Sequence, residues 1–104
     1  MIRFFVVSGL AAMLALTIHA SALPTDDAAA GTKAFERVCQ VCHGENAKGG
    51  AGPSLVPFDR DVEDVLAIVR EGTGEMPPVS AERVSDDDIR AIVAYLKSLT
   101  PPAR

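Results

Sequence analysis

The chain has 104 residues, enough for one domain, with ten Lys and Arg against fourteen Asp and Glu and a formal net charge of −4. That balance argues against nucleic acid as a partner, because nucleic-acid binding recruits basic patches. It suits a soluble carrier that meets a basic partner surface.

The chain opens on a short basic stretch, Met1-Ile2-Arg3, followed by an uncharged apolar run of 15 residues from Phe4 to Ile18. Ala20-x-Ala22 then fits the small-residue rule for signal peptidase. The pattern predicts a secretory signal peptide over residues 1–22, cleaved after Ala22, and export to the periplasm. The alternative is an uncleaved N-terminal anchor facing the same compartment, although the run falls short of the roughly 20 residues a span needs. The domain proper is residues 23–104. It keeps nine of the ten basic residues and all fourteen acidic ones, for a net charge of −5. Its only aromatics are Phe35, Phe58 and Tyr95, and it has no Trp. So small a domain usually needs a disulfide, a metal or a cofactor to complete its core.

A first helix is expected from about Asp27 to Val41, capped by Thr25 or Asp26. Phe35, Val38 and Val41 lie on one side of it, and Gly44 stops it. Residues 43–58, "HGENAKGGAGPSLVPF", have no sustained period and read as an ordered loop. A middle helix spans Val62 to Glu71, with Asp59 or Asp61 as cap. Its stripe is Val62, Val65, Leu66 and Val69, and Gly72 ends it. A second irregular stretch, "GTGEMPPVSAERV", follows. The last helix has Ser85 as N-cap and Asp88 as capping-box partner, with Asp86, Asp87 and Asp88 at the positive end of its dipole. Ile89, Ile92, Val93, Leu96 and Leu99 form its apolar stripe, and Pro101-Pro102 stops it. No strand pattern and no repeat appears, so the fold is expected to be all-α.

The chemistry concentrates in "CQVCH", residues 39–43. A redox disulfide of the thioredoxin kind needs its C-x-x-C at the start of a helix that follows a strand; here the motif ends a helix. Structural zinc wants four ligands, commonly from two separated pairs, and the second pair is absent. Cys42 and His43 are also adjacent, which hinders their joint use on one zinc. C-x-x-C-H is the attachment signature of c-type haem. Its two thiols add across the vinyl groups on one porphyrin edge, and the following histidine becomes the proximal iron ligand. An electron-carrying haem needs a second axial ligand. Met76, the one methionine of residues 23–104, lies in "GTGEMPP" on a loop able to fold over the other haem face. A gap-filling core role is the alternative, but a core methionine normally sits in an apolar stripe. Met76 is flanked by Glu75 and by Pro77-Pro78, which stiffen the chain after it.

With "GTKAFERVCQVCHG", "GAGPSL", "GEMPP" and "IRAIVAYLKSL" in that order, the chain resembles small bacterial class I monohaem cytochromes c over almost all of residues 28–100. The resemblance implies the cytochrome c fold, three main helices and Gly/Pro-rich loops wrapped round one covalently bound haem c. It implies Cys39 and Cys42 as thioether residues, His43 and Met76 as axial ligands, and Pro53 as the residue whose carbonyl orients His43. It further implies Gly31, Phe35 and Tyr95 at the contact of the first and last helices. The expected function is one-electron transfer between redox partner proteins in a periplasmic respiratory or dehydrogenase chain. The chain would act as a monomer, with no small-molecule substrate and no enzymatic activity. The alternatives are a cytochrome subunit of a larger oxidoreductase, or a haem sensor or peroxidase-like protein with a displaceable Met76. The acidic clusters at Asp59–Asp64 and Asp86–Asp88 read as caps and solubility, or as a docking patch for a basic partner.

Overall fold

The computed structural model describes residues 26–101 together with Ala15. The predicted signal segment, its cleavage after Ala22 and the Thr25 cap therefore lie outside the described residues. Four α-helices follow in order: α1 (Asp26–Val38), α2 (Gln40–His43), α3 (Val62–Glu71) and α4 (Asp86–Leu99), with a 3-10 turn at Glu45–Ala47 after α2. Among the described residues the fold is all-α, with one isolated bridge between Thr73 and Met76. No described helix is long and apolar enough to cross a membrane.

The core lies between α1 and α4. Ala34 and Phe35 on α1 meet Ile89, Ile92, Val93, Tyr95 and Leu96 on α4, with Val84 and Phe58 closing the sides. Phe35 and Tyr95 pack with ring centroids 5.4 Å apart at a tilted 55°, an arrangement worth about 1 kcal/mol beyond the area it buries. What lets the helices approach so closely is Gly31. A Cβ built there would stand 1.9 Å from the Ala91 carbonyl oxygen, so the backbone of α4 occupies the place of a side chain.

The ends of α3 and α4 follow local chemistry. Asp61 Oδ1 accepts from Asp64 N–H at 3.0 Å at the start of α3, and Gly72 N–H closes its end on Ile68 O. Ser85 Oγ accepts from Asp88 N–H at 3.0 Å while Asp88 Oδ2 accepts from Ser85 N–H at 3.1 Å, the reciprocal pair of a capping box. These backbone bonds, aided by Arg37, hold the Asp88 carboxyl below its ordinary value. A group with a depressed folded pKa stabilises the fold at all pH values above its unfolded pKa. That contribution is lost as pH falls through the window between the unfolded value of 3.8 and the lower folded one. Ser85→Ala is expected to cost about 1 kcal/mol in thermal unfolding at neutral pH. Asp88→Ala should lose a comparable increment at neutral pH and give a shallower acid limb below pH 4, whereas an unchanged acid limb would contradict the assignment.

The first helix departs from expectation. It ends at Val38, and a separate short turn carries Gln40–His43, on which Val41 is 83 % exposed. The break serves the loop behind it. Gly44, at φ +79°, turns the chain so tightly that a Cβ would meet Gly49 O at 2.2 Å, a conformation glycine adopts without strain.

Candidate functional site

Cys39 sits at the joint between α1 and α2. Its N–H still donates to Phe35 O at 2.8 Å, while its carbonyl accepts from Cys42 N–H at 3.2 Å and His43 N–H at 3.0 Å. The two cysteines and the histidine are thus wound into one helical turn, and positions three and four apart fall on one face. The loop after Gly44 then doubles back onto this turn. Gly49 N–H donates to His43 O and Gly52 N–H to Cys42 O, both at 2.7 Å, and Leu55 N–H donates to Ala47 O at 2.9 Å. The return delivers the Pro53 carbonyl to the imidazole: His43 Nδ1 donates to Pro53 O at 2.9 Å. A carbonyl can only accept, so the proton resides on Nδ1 and Nε2 keeps its lone pair for a metal or a proton.

Both thiols are free, Cys39 half-buried and Cys42 exposed. Burial pushes the Cys39 thiol up to about 11, against a smaller opposing pull from the Arg37 charge. A redox C-x-x-C relies on a depressed thiol, so this cysteine is poorly suited to disulfide exchange at neutral pH.

These groups open onto a cavity of about 420 Å³, within the ~300–1,000 Å³ usual for cofactor sites. Cys39, Cys42, His43, Pro53 and Met76 all line it, although Met76 is 33 positions beyond His43 in the chain. The rest of the wall is chiefly apolar: Phe35 and Val38 from α1, Val65, Ile68 and Val69 from α3, and Ile89, Ile92 and Leu96 from α4. This explains why α3, amphipathic in sequence, has no fully buried residue: part of its apolar face lines the cavity. Asp59, Arg60 and Arg83 complete the wall. The two arginines carry no pattern that would single them out from sequence. Val41, between the cysteines, also reaches the lining. Among the described residues no cluster of three or more His, Cys, Asp or Glu is placed to hold a metal ion on its own.

The donor set fits an iron porphyrin. Two thiols stand beside an oriented imidazole, a thioether comes from a distant loop, and the walls are apolar. Comparison with known proteins agrees, because the profile of the family described as cytochrome c oxidase, cbb3-type, subunit III matches residues 26–96. The chain belongs to the cytochrome c family. Cytochrome c6 of Leptolyngbya boryana is 36 % identical over 77 residues, which cover 67 % of this chain and 89 % of that protein. The cbb3-type cytochrome c oxidase subunit FixP of Bradyrhizobium sp. (strain ORS 278) is 34 % identical over 89 residues, 76 % of this chain and 31 % of that subunit. The chain spans a third or less of this and other relatives that are subunits of oxidase or menaquinol:cytochrome c reductase complexes. In structure it resembles cytochrome cL of the marine methylotroph Methylophaga aminisulfidivorans MPT, with a TM-score of 0.58 and 26 % identity over 72 % of this chain and 55 % of that one. As a cytochrome c, the protein has the fold of that family, binds haem c covalently and belongs among electron carriers.

Proposed function

We propose that this cytochrome c is a monomeric one-electron carrier exported to the periplasm, where it links redox partner proteins of a respiratory or dehydrogenase chain. Cys39 and Cys42 would hold the haem by thioether bonds, and His43 and Met76 would ligate its iron. The observation that carries this reading is the convergence of two thiols, one oriented imidazole and one thioether on a single apolar cavity.

When bound, haem c supplies reversible one-electron exchange at its iron. The chain's own residues set the conditions. Pro53 O holds the His43 ring in one orientation and raises the basicity of Nε2 through the Nδ1 hydrogen bond. The valine and isoleucine walls from α3 and α4 exclude water. Low polarity disfavours the state with the extra positive charge, so they favour the reduced form. Arg60 and Arg83 offer positive charge in that wall, complementary to the carboxylate side chains of a haem. Val41 leaves an apolar surface beside Cys42, the natural edge for electron exchange with a partner. Of the acidic groups, Asp86, Asp87 and Asp88 are paired within the molecule, with Arg70, Arg90 and Arg37. A basic partner would therefore be met by the start of α3, around Asp59 and Glu63.

Expression of residues 23–104 behind a secretion signal, with haem-attachment machinery, tests the site. A c-type ferrous spectrum that survives acid extraction, with the weak far-red ferric band of iron-bound methionine sulfur, is the expected result. Protein without covalent haem would end this reading of residues 39–43. A second reading is favoured by the relatives that are subunits of larger complexes: a cytochrome held stoichiometrically in an oxidoreductase. Native size on gentle extraction separates the two, a free carrier running alone and a subunit co-purifying with its partners.

A further inference from the structure

The segment bearing Met76 is tied at both ends. Near its start, Thr73 and Met76 exchange backbone hydrogen bonds, Thr73 N–H to Met76 O at 3.1 Å and Met76 N–H to Thr73 O at 2.9 Å. Three residues further on, Val79 N–H donates to Val69 O at 2.8 Å, and Val79 O accepts from Arg70 Nη1 at 3.1 Å. Between these ties stand Pro77 and Pro78, whose rings fix φ. Met76–Val79 is therefore a short stiff strap. Arg70 does more than hold its far end: its other terminal nitrogen donates to Asp86 Oδ1 at 2.7 Å, on the first residue of α4. One guanidinium in the last turn of α3 thus joins the strap, α3 and α4. It is only 26 % exposed, so its bonds are less screened than those of an open surface pair. Two acceptors on different elements suit the planar fork of arginine, which lysine cannot reproduce.

We propose that Arg70 is a positioning residue that latches the Met76 strap and so governs how firmly the methionine sulfur resists displacement from the iron. This rests on the assignment of Met76 as an axial ligand. A thioether is a neutral, soft donor. Its hold on ferric iron depends on how little the chain relaxes when it leaves, and a strap pinned at Val79 relaxes little. Without Arg70 the Val79 carbonyl loses its partner and the strap keeps only its backbone ties.

The test is a titration of the ferric, haem-attached protein with imidazole, which competes with Met76 for the iron, read by loss of the far-red band. Arg70→Gln should retain the band in buffer but raise the apparent imidazole affinity by about tenfold, the equivalent of one charge-assisted hydrogen bond lost. Arg70→Lys, able to serve one acceptor, should fall between, and it carries the test alone if the glutamine variant does not fold. Arg90→Gln removes the exposed Arg90–Asp87 pair, at 2.9 Å on α4 with no tie to the strap, and should leave the affinity as in the wild type. Affinities for both Arg70 variants equal to the wild type overturn the latch, as does an equal rise in Arg90→Gln. A wild type that lacks the far-red band from the outset removes the Met76 assignment itself, and the latch with it.

Discussion

Gly31→Ala is expected to destabilise the protein by about 3 kcal/mol, the upper end of what overpacking costs, and to lower Tm by on the order of 15 °C for a domain of this size. The sign makes the experiment decisive. Within a helix, alanine is favoured over glycine by about 1 kcal/mol, so helix propensity alone predicts a gain. Sterics predict the loss, because the new methyl would lie 1.9 Å from Ala91 O and 2.4 Å from its carbonyl carbon. Those are backbone atoms of α4 and cannot rotate aside. Relief requires the two helices to part, which opens the contact between Phe35 and Tyr95. Thermal unfolding followed by circular dichroism decides it, and a Tm at or above that of the wild type would show that the helices can separate at little expense.

Met76→Ala should have the largest effect on function. On the proposed ligation, haem stays attached through Cys39 and Cys42, but the far-red ferric band disappears and the ferrous form binds carbon monoxide rapidly. The midpoint potential should fall by a substantial part of the roughly 0.8 V over which axial ligands can set it, because the thioether is the ligand that raises the potential. The fold should largely persist, since Met76 is only half-buried and lies outside the α1–α4 core. A variant with unaltered spectrum and potential would assign the sixth position to another group.

What the sequence makes legible follows where information is local. The end of α3 and the start of α4 are legible because Gly72, Ser85 and Asp88 act on backbone groups within four positions of themselves, while the start of α3 is left between Asp59 and Asp61 until the structure shows Asp61 as the cap. The end of α1 is not legible. The apolar positions Phe35, Val38 and Val41 invite a helix as far as Val41, and neither glycine nor proline stands at Cys39 to stop it. Downstream of the break a loop returns from Gly49 and Gly52 to bond the carbonyls of His43 and Cys42, a tertiary arrangement that no local signal at Cys39 announces. The same divide runs through the site. Cys39, Cys42, His43 and Met76 can be singled out by residue type and spacing, and folding brings all four to one cavity. Arg60, Arg70 and Arg83 cannot, because an arginine in a solvated pattern gives no sign of which carbonyl, carboxylate or cavity it will meet. Nor does an apolar stripe on α3 announce that part of it, Val65 and Val69, lines a cavity as well as packing on the core.

The pairing of α1 with α4 also imposes a timetable on biogenesis. These helices form the core, yet they are made at widely separated moments: α4 is complete only at Leu99, 57 residues after Cys42. At the roughly 5–20 residues per second of chain synthesis, α1, complete at Val38, waits about 3–12 s for the partner it packs against. Throughout that interval Cys39, Cys42 and His43 belong to a chain that has no core to fold into. On the proposed export that coreless state is the one carried across the membrane, and the Cys39 thiol, half-buried in the finished molecule, stays open to haem attachment until α4 docks on α1.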